Sequence, residues 1–469
     1  MWSLRSSYST LAATLVLLIV QQYANAQIVV GSARHVSVLC SNGKVYSEGE
    51  NRDGLLGDGT TIERQGFIQS SINGVRYLSS NYAGVVAVDL VGDVYYWGVV
   101  RLNIAGMPKW STIEPTPKKI EYVSDVRKAV LSNGNVCYLL NSGRLLVSGA
   151  NSQGQHGNGT TTELDSGGTY ASLDSIIDVF CAVETIYAVR SDGSIWAWGS
   201  NYKNFIDTTS AANYPLPVRI LQTSGVRATS GTFGFSNALG SMRIVDSNGD
   251  VYVWGQNDKN QLGVEGVKWL TKPYKLTLPC KALSVSGGVD HTIVLCEDGT
   301  VWSFGDNSYG QLGYPYKQNA VEPVSVIGLS NVVAIGSGLY SSYAISRDGS
   351  LYGWGDNTYH QLDPGDIPRQ YTAIPLGAPC SLVSGMIDGD MTQSLLSIPN
   401  PISDIVSVPI NEETTRVDVY SIEGRCVYGV ALSIIADHVT IDMTSESPGV
   451  YMIVRTMKDR VAVESVIKH

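Results

Sequence analysis

The chain has 469 residues, of which 16% are charged, with 49 glycines and a net charge of −10. This glycine- and aromatic-rich balance argues against disorder and for an all-β globular protein. It also argues against a polyanion ligand, because phosphate neutralisation needs clustered Lys and Arg, and pairs such as Lys118-Lys119 are ordinary surface. Nucleic acid is therefore not an expected partner.

In chain order, residues 1–26 read as a signal peptide. Arg5 supplies a positive start, Leu11 to Val20 an apolar core of ten residues, and Ala24-Asn25-Ala26 a small-x-small cleavage site. The core is short for a bilayer span. The mature chain is expected to begin at Gln27 and to contain no membrane span.

A motif then recurs seven times, cleanest as DGTVWSFGDNSYGQLG at 298–313. Its first glycines are Gly43, Gly92, Gly143, Gly193, Gly249, Gly299 and Gly349, spaced by 49, 51, 50, 56, 50 and 50 residues. A period near 50 marks a propeller or solenoid. Asp-Gly or Asn-Gly is a strong two-residue hairpin signal when both residues accept positive φ. An alternating strand follows each turn. The third residue after the glycine is Tyr46, Tyr95, Leu146, Trp196, Tyr252, Trp302 or Tyr352. The fifth is Glu48, Trp97, Ser148, Trp198, Trp254, Phe304 or Trp354. Both positions share one strand face, and their rings suit the gap between packed sheets. A second glycine, such as Gly305, then permits a close backbone approach. Another strand precedes each turn, so a unit has room for four strands. Seven such units make a seven-bladed β-propeller over 27–397. An eighth strand pattern, 384–397, is expected to help close the ring near Ile28.

The pattern G-x-x-x-H-x-x-x-L followed by D-G-x-V-W-x-W-G-x-N-x-x-G-Q-L-G resembles the repeat of the regulator of chromosome condensation family over about residues 28–397. The resemblance implies the propeller fold. It does not carry over the family's founding role in nucleotide exchange and chromatin binding, which suits neither an exported nor an acidic chain.

Seven cysteines in an exported chain invite disulfides. Cys40 and Cys296 occupy one repeat position, Cys280 and Cys380 another, and equivalent positions in different blades lie too far apart to bridge. The cysteines are expected mostly as buried free thiols, with one bridge between non-equivalent cysteines left open. No C-x-x-C zinc signal occurs.

After a proline-bearing linker at 398–411, composition changes. Alternating strands at 416–430, 439–443, 449–457 and 460–468 predict a small β-sandwich-like domain over 412–469. This piece resembles the type A sorting domain of proteins exported by the type IX system of Bacteroidetes-like bacteria. The resemblance rests on VYSIEGRCV with Gly424 and Arg425, SPGVYMIVR with Gly449 and Tyr451, and the basic end at Lys468. It implies recognition by the outer-membrane secretion machinery, and release or attachment at the cell surface.

No catalytic, cofactor-binding or metal-binding residues are nominated. H-E-x-x-H, G-x-S-x-G and P-loop motifs do not occur. His35 and His291 share a repeat position and read as structural. Asp192, Asp298 and Asp348 precede motif glycines, where turn chemistry accounts for them. The expected role is a secreted or surface-displayed binding module for a protein or glycan. The alternative is an extracellular polysaccharide hydrolase or lyase using a carboxylate pair. Binding is expected where the repeat departs from its pattern: at Glu48 and Ser148, and in the stretches 99–120 and 201–217 that hold Trp110 and Tyr202.

Overall fold

The computed structural model describes residues 28–100, 112–132, 134–163, 167–206, 212–231, 240–316, 318–362, 367–377 and 379–380, and six strands between 405 and 468. It divides into two compact units, 1–382 and 383–469.

In the first unit, 28 strands form seven four-stranded antiparallel sheets, each built from consecutive strands. These blades span 28–69, 75–119, 126–170, 176–222, 226–276, 282–325 and 332–377. The first strand of each blade contacts the first strand of the next, and that of blade 7 contacts that of blade 1. The first strands are thus the innermost layer of a closed ring. The unit is an all-β seven-bladed propeller. Blade 1 is wholly N-terminal and blade 7 wholly C-terminal, so all seven sheets form from residues 28–377. The stretch 384–397 lies outside the described residues, as do the signal segment and Trp110.

The hairpin turns differ from the two-residue type expected of Asp-Gly. The Gly299 N–H donates to the Cys296 carbonyl at 3.0 Å, and Gly299 alone has positive φ, at +80°. That is a type I turn closed by a glycine bulge. Asp298 instead turns its carboxylate on Thr300, accepting from its N–H at 2.9 Å and its hydroxyl at 2.7 Å. These bonds hold its pKa below the usual value, and Asp192 and Asp348 are held down in the same way by Ser194 and by Ser346 and Ser350. The second glycine is required for space. At Gly305, φ is +113° and a Cβ would lie 2.4 Å from the Asp290 carbonyl oxygen.

The expectation of mostly free thiols is corrected. Cys280 bridges Cys296, and Cys40 bridges Cys380. Each bridge joins non-equivalent cysteines, with Cα atoms 6.0 and 5.3 Å apart, inside the tolerated range. Ring closure is the physical reason. Chain leaving the fourth strand of blade 5 meets the end of the second strand of blade 6. Chain leaving blade 7 meets that same place in blade 1. The two bridges are therefore one structural feature used twice, and the second staples the ring shut. Cys137 and Cys181 remain unbridged and buried, with sulfurs 3.7 Å apart.

The two repeat-position histidines are structural. His35 Nδ1 hydrogen-bonds Ser32 at 2.7 Å, and His291 Nε2 hydrogen-bonds Ser342 of blade 7 at 2.8 Å. Arg243 is fully buried between blades 5 and 6. It donates to the Thr292 hydroxyl and to the carbonyls of Ser241, Gln261 and His291. Burial pulls its pKa down to about 9.

In the second unit, Thr414–Ser421 pairs with Cys426–Ala431 and Gly449–Met457, which pairs with Val461–Lys468. A separate two-stranded sheet pairs Ile405–Pro409 with His438–Asp442. Val417 and Val419 of the first sheet and Ile441 of the second are buried. Part of the stretch expected as linker is therefore strand. Gly449 and Tyr451 open the long third strand, while Gly424 and Arg425 lie outside the described residues.

Candidate functional site

Each blade carries its loops between strands 1 and 2 and between strands 3 and 4 at one end, and its glycine turns at the other. The loop end is organised by an asparagine that follows the second glycine by two residues. Asn51, Asn151, Asn201, Asn257, Asn307 and Asn357 are all buried. Each side-chain oxygen accepts the backbone N–H five residues on, at 2.8 to 3.0 Å. In five of them the amide nitrogen reaches across the loop to a backbone carbonyl. Asn257 reaches Val267, Asn307 reaches Tyr316 and Asn357 reaches Ile367, at 2.7, 2.6 and 2.9 Å. Asn51 and Asn151 pin Thr60 and Thr162 in the corresponding loops.

The residues held by these bonds point outward. Tyr316 is 64% exposed and Ile367 56%; Ile62, two residues past the pinned Thr60, is 61% exposed, and Val267 37%. They belong to blades 6, 7, 1 and 5, which are consecutive around the ring. The face thus carries an apolar arc whose backbone is fixed before any partner arrives. Tyr202 of blade 4, nominated from sequence, continues this arc at 59% exposure, with the Lys203 ammonium 5.6 Å from its ring centre.

Inside the arc lies a polar and aromatic band. Tyr309 stacks on Tyr340 with centroids 4.9 Å apart, and the Arg369 guanidinium covers Tyr309 at 4.7 Å. Arg34 sits 5.5 Å from the Tyr359 ring and pairs with Glu50 and Asp53. Burial pushes the Asp290 carboxyl up to about 6. Asp306 and Asp258 add to this rise, and Lys259 opposes it. Among the described residues no cluster of three His, Cys, Asp or Glu groups could hold a metal ion.

The nominated positions Glu48 and Ser148 belong to the seams between blades. Position five after the turn glycine holds a ring that packs on the preceding blade. Trp97, Trp198 and Trp354 each donate an indole N–H to a backbone carbonyl of that blade: Leu55, Gln155 and Gln311, at 2.8, 2.9 and 2.9 Å. Trp254 and Phe304 sit fully buried in the same place. Phe304 packs with Leu262 and Leu276, and Trp354 with Val326. At Ser148 a different ring fills the seam. The Tyr122 hydroxyl lies 2.9 Å from that of Tyr138 and donates to Ser148 at 3.1 Å.

At Glu48 no ring from position five fills the seam. A pocket of about 520 Å³ opens there, between blades 7 and 1. Leu362, Leu376, Ile374 and Pro375 of blade 7 and Phe67 of blade 1 form its apolar walls, with Gln65 and Gln370 beside them. The Glu48 carboxylate, 3% exposed, borders it. Ile367 of the loop arc also lines it, so pocket and arc are continuous. The insertions contribute less than expected to what is described. Thr112–Lys119 and Tyr214–Gln222 are fourth strands of blades 2 and 4, and 101–111 and 207–211 lie outside the described residues. Sequence reasoning missed the asparagines, although G-x-N recurs at six of seven blades.

Models of the Regulator of chromosome condensation (RCC1) repeat match residues 248–295 and 298–345, and, for a second such model, 283–311 and 332–361. The Secretion system C-terminal sorting domain matches 398–469. The mouse Regulator of chromosome condensation is 24% identical over 253 residues, covering 49% of this chain and 60% of the mouse protein. Human E3 ubiquitin-protein ligase HERC2 is 26% identical over 246 residues, which are 49% of this chain but 5% of that protein. The chain thus spans less than two thirds of either relative. Among solved structures, human WBSCR16 superposes with a TM-score of 0.61 at 17% identity, covering 72% of this chain and 95% of that one. Yeast RCC1 (Prp20), solved bound to Kap60, gives 0.58 at 17% identity, covering 77% and 86%. The chain is therefore a seven-bladed propeller that carries regulator of chromosome condensation repeats, matched between 248 and 361, followed at 398–469 by a type IX secretion C-terminal sorting domain.

Proposed function

We propose that this protein works outside the cell as a binding module that grips a protein partner with the loop face of blades 5, 6, 7 and 1. The signal segment 1–26 takes the chain across the inner membrane, and the domain at 412–469 engages the outer-membrane secretion machinery of a Bacteroidetes-like cell. The propeller, 27–397, is the cargo, released or held at the cell surface. The observation that carries the binding role is the row Val267, Tyr316 and Ile367, exposed at loop positions whose carbonyls are pinned by buried asparagines, continued in blade 1 by Ile62, two residues past the pinned Thr60. A protein interface gains from apolar groups that are already fixed, because little ordering entropy remains to be lost. Isoleucine and valine favour a protein surface over a sugar, for which stacked rings would be needed throughout.

The test compares capture of extracellular proteins by three forms of the immobilised chain, read by quantitative mass spectrometry. The wild type is set against Tyr316→Asp/Ile62→Asp on the loop face, and Leu90→Asp/Ile327→Asp on the turn face. Partners held by wild type and the turn-face variant but lost from the loop-face variant support the proposal. Equal capture by both variants overturns it.

A further inference from the structure

The pocket between blades 7 and 1 is a seam whose position-five ring is missing, with Phe67 of blade 1 packed on one wall. Strand register identifies its walls. Tyr352 pairs with Pro375 as Trp302 pairs with Ser325 and Tyr252 with Lys275, so Leu376 corresponds to Val326 and Leu276. Those two residues pack on Trp354 and Phe304. Leu362 likewise corresponds to Leu262, which packs on Phe304. The wall residues that hold an aromatic ring in neighbouring seams are therefore present, at matching strand positions, around a pocket whose lining reaches the loop residue Ile367. The carbonyl corresponding to the indole acceptors Leu55 and Gln311 is that of Gln361. Gln361 is itself 1% exposed, with its Nε2 lacking a hydrogen-bond partner.

We infer that this pocket takes an aromatic side chain, of indole type, presented by the partner protein. The inference rests on the loop-face reading and supplies its anchor. An aromatic ring seated among Leu362, Ile374, Pro375 and Leu376 would sit beside Ile367, at the edge of the exposed arc. In the other seams the ring comes from the chain itself. Here Cys40–Cys380 holds the seam, as Cys280–Cys296 holds the seam that Phe304 fills.

The test is calorimetric titration of the purified full chain with three capped tetrapeptides, Gly-Trp-Lys-Gly, Gly-Trp-Glu-Gly and Gly-Ala-Lys-Gly, and with tryptamine alone. The Trp-Lys and Trp-Glu peptides should each bind at least tenfold more tightly than the Ala-Lys peptide. Glu48→Trp should fill the pocket from within and abolish that binding. If that variant misfolds by circular dichroism, Gln370→Trp fills the pocket from its mouth and replaces it. Equal binding of the Trp and Ala peptides overturns the inference, as does undiminished binding to the filled variant. Tryptamine binding as tightly as the peptide also overturns it, in favour of a free aromatic amine. The titration uses no natural partner, so the pocket can fail while loop-face capture stands, and the reverse.

Discussion

The two disulfides offer an internal control, because they occupy one repeat position twice and differ in the length of chain they enclose. Cys280–Cys296 closes a loop with a sequence separation of 16, and Cys40–Cys380 one of 340. In the chain-entropy description, removing the first costs about 3 kcal/mol and removing the second about 6 kcal/mol at 25 °C. The local surroundings largely cancel in the comparison, leaving a difference of about 2.7 kcal/mol from the logarithm of the loop ratio. The perturbation is Cys280→Ala/Cys296→Ala against Cys40→Ala/Cys380→Ala. The assay is equilibrium guanidinium unfolding of the full chain without reductant, followed by tryptophan fluorescence, with the slopes compared to check that both variants expose similar surface. The ring-closing pair should lose clearly more. Equal losses, or a larger loss from the short bridge, would refute the view that Cys40–Cys380 acts by constraining the open chain.

Other consequences follow from buried polar groups. Burial holds His35 at a pKa of about 4 and His291 at about 3, the latter also lowered by Arg243. Between pH 6.5 and those values the unfolded chain binds protons that the folded chain refuses, so stability falls as pH falls. The two together should cost about 4 kcal/mol on going from pH 7 to pH 5, and His35→Asn/His291→Asn should flatten that part of a stability-versus-pH curve. An unchanged slope would contradict the assignment. Asn307→Ala removes donation to Tyr316 and strands the Leu312 N–H, and should cost about 2–3 kcal/mol in unfolding free energy. It should also speed proteolysis within 308–318, and resistance equal to wild type would show that the asparagine does not hold the loop.

Much of the propeller was legible because its physics is local and repeated. The turn glycines, the close-approach glycines and the buried rings each follow from neighbours in sequence, and seven copies turn a weak signal into a period. What was not legible depended on closure. Cys40 and Cys380 look unrelated until the ring places blade 1 after blade 7, when they stand as Cys280 stands to Cys296. Ser148 looks like a gap in the aromatic series, and Tyr122, outside the motif, fills it. Glu48 looks similar in sequence, yet its seam holds a pocket, because blade 7 supplies apolar walls and no corresponding tyrosine. The turn type was misjudged from Asp-Gly because the aspartate prefers to cap Thr300 or its counterparts, leaving positive φ to glycine alone. The exposed row on the loop face was missed for another reason. Its members differ in kind, and Val267, Tyr316 and Ile367 share only a pinned carbonyl, which no side-chain pattern reports.

The most direct test of the binding role is hydrogen–deuterium exchange on the full chain with and without a partner captured on the wild type. Expected is protection confined to the loops around Ile62, Val267, Tyr316 and Ile367, with the glycine turns at the opposite end unchanged. Protection centred on those turns, with the four loops exchanging as freely as before, would contradict it.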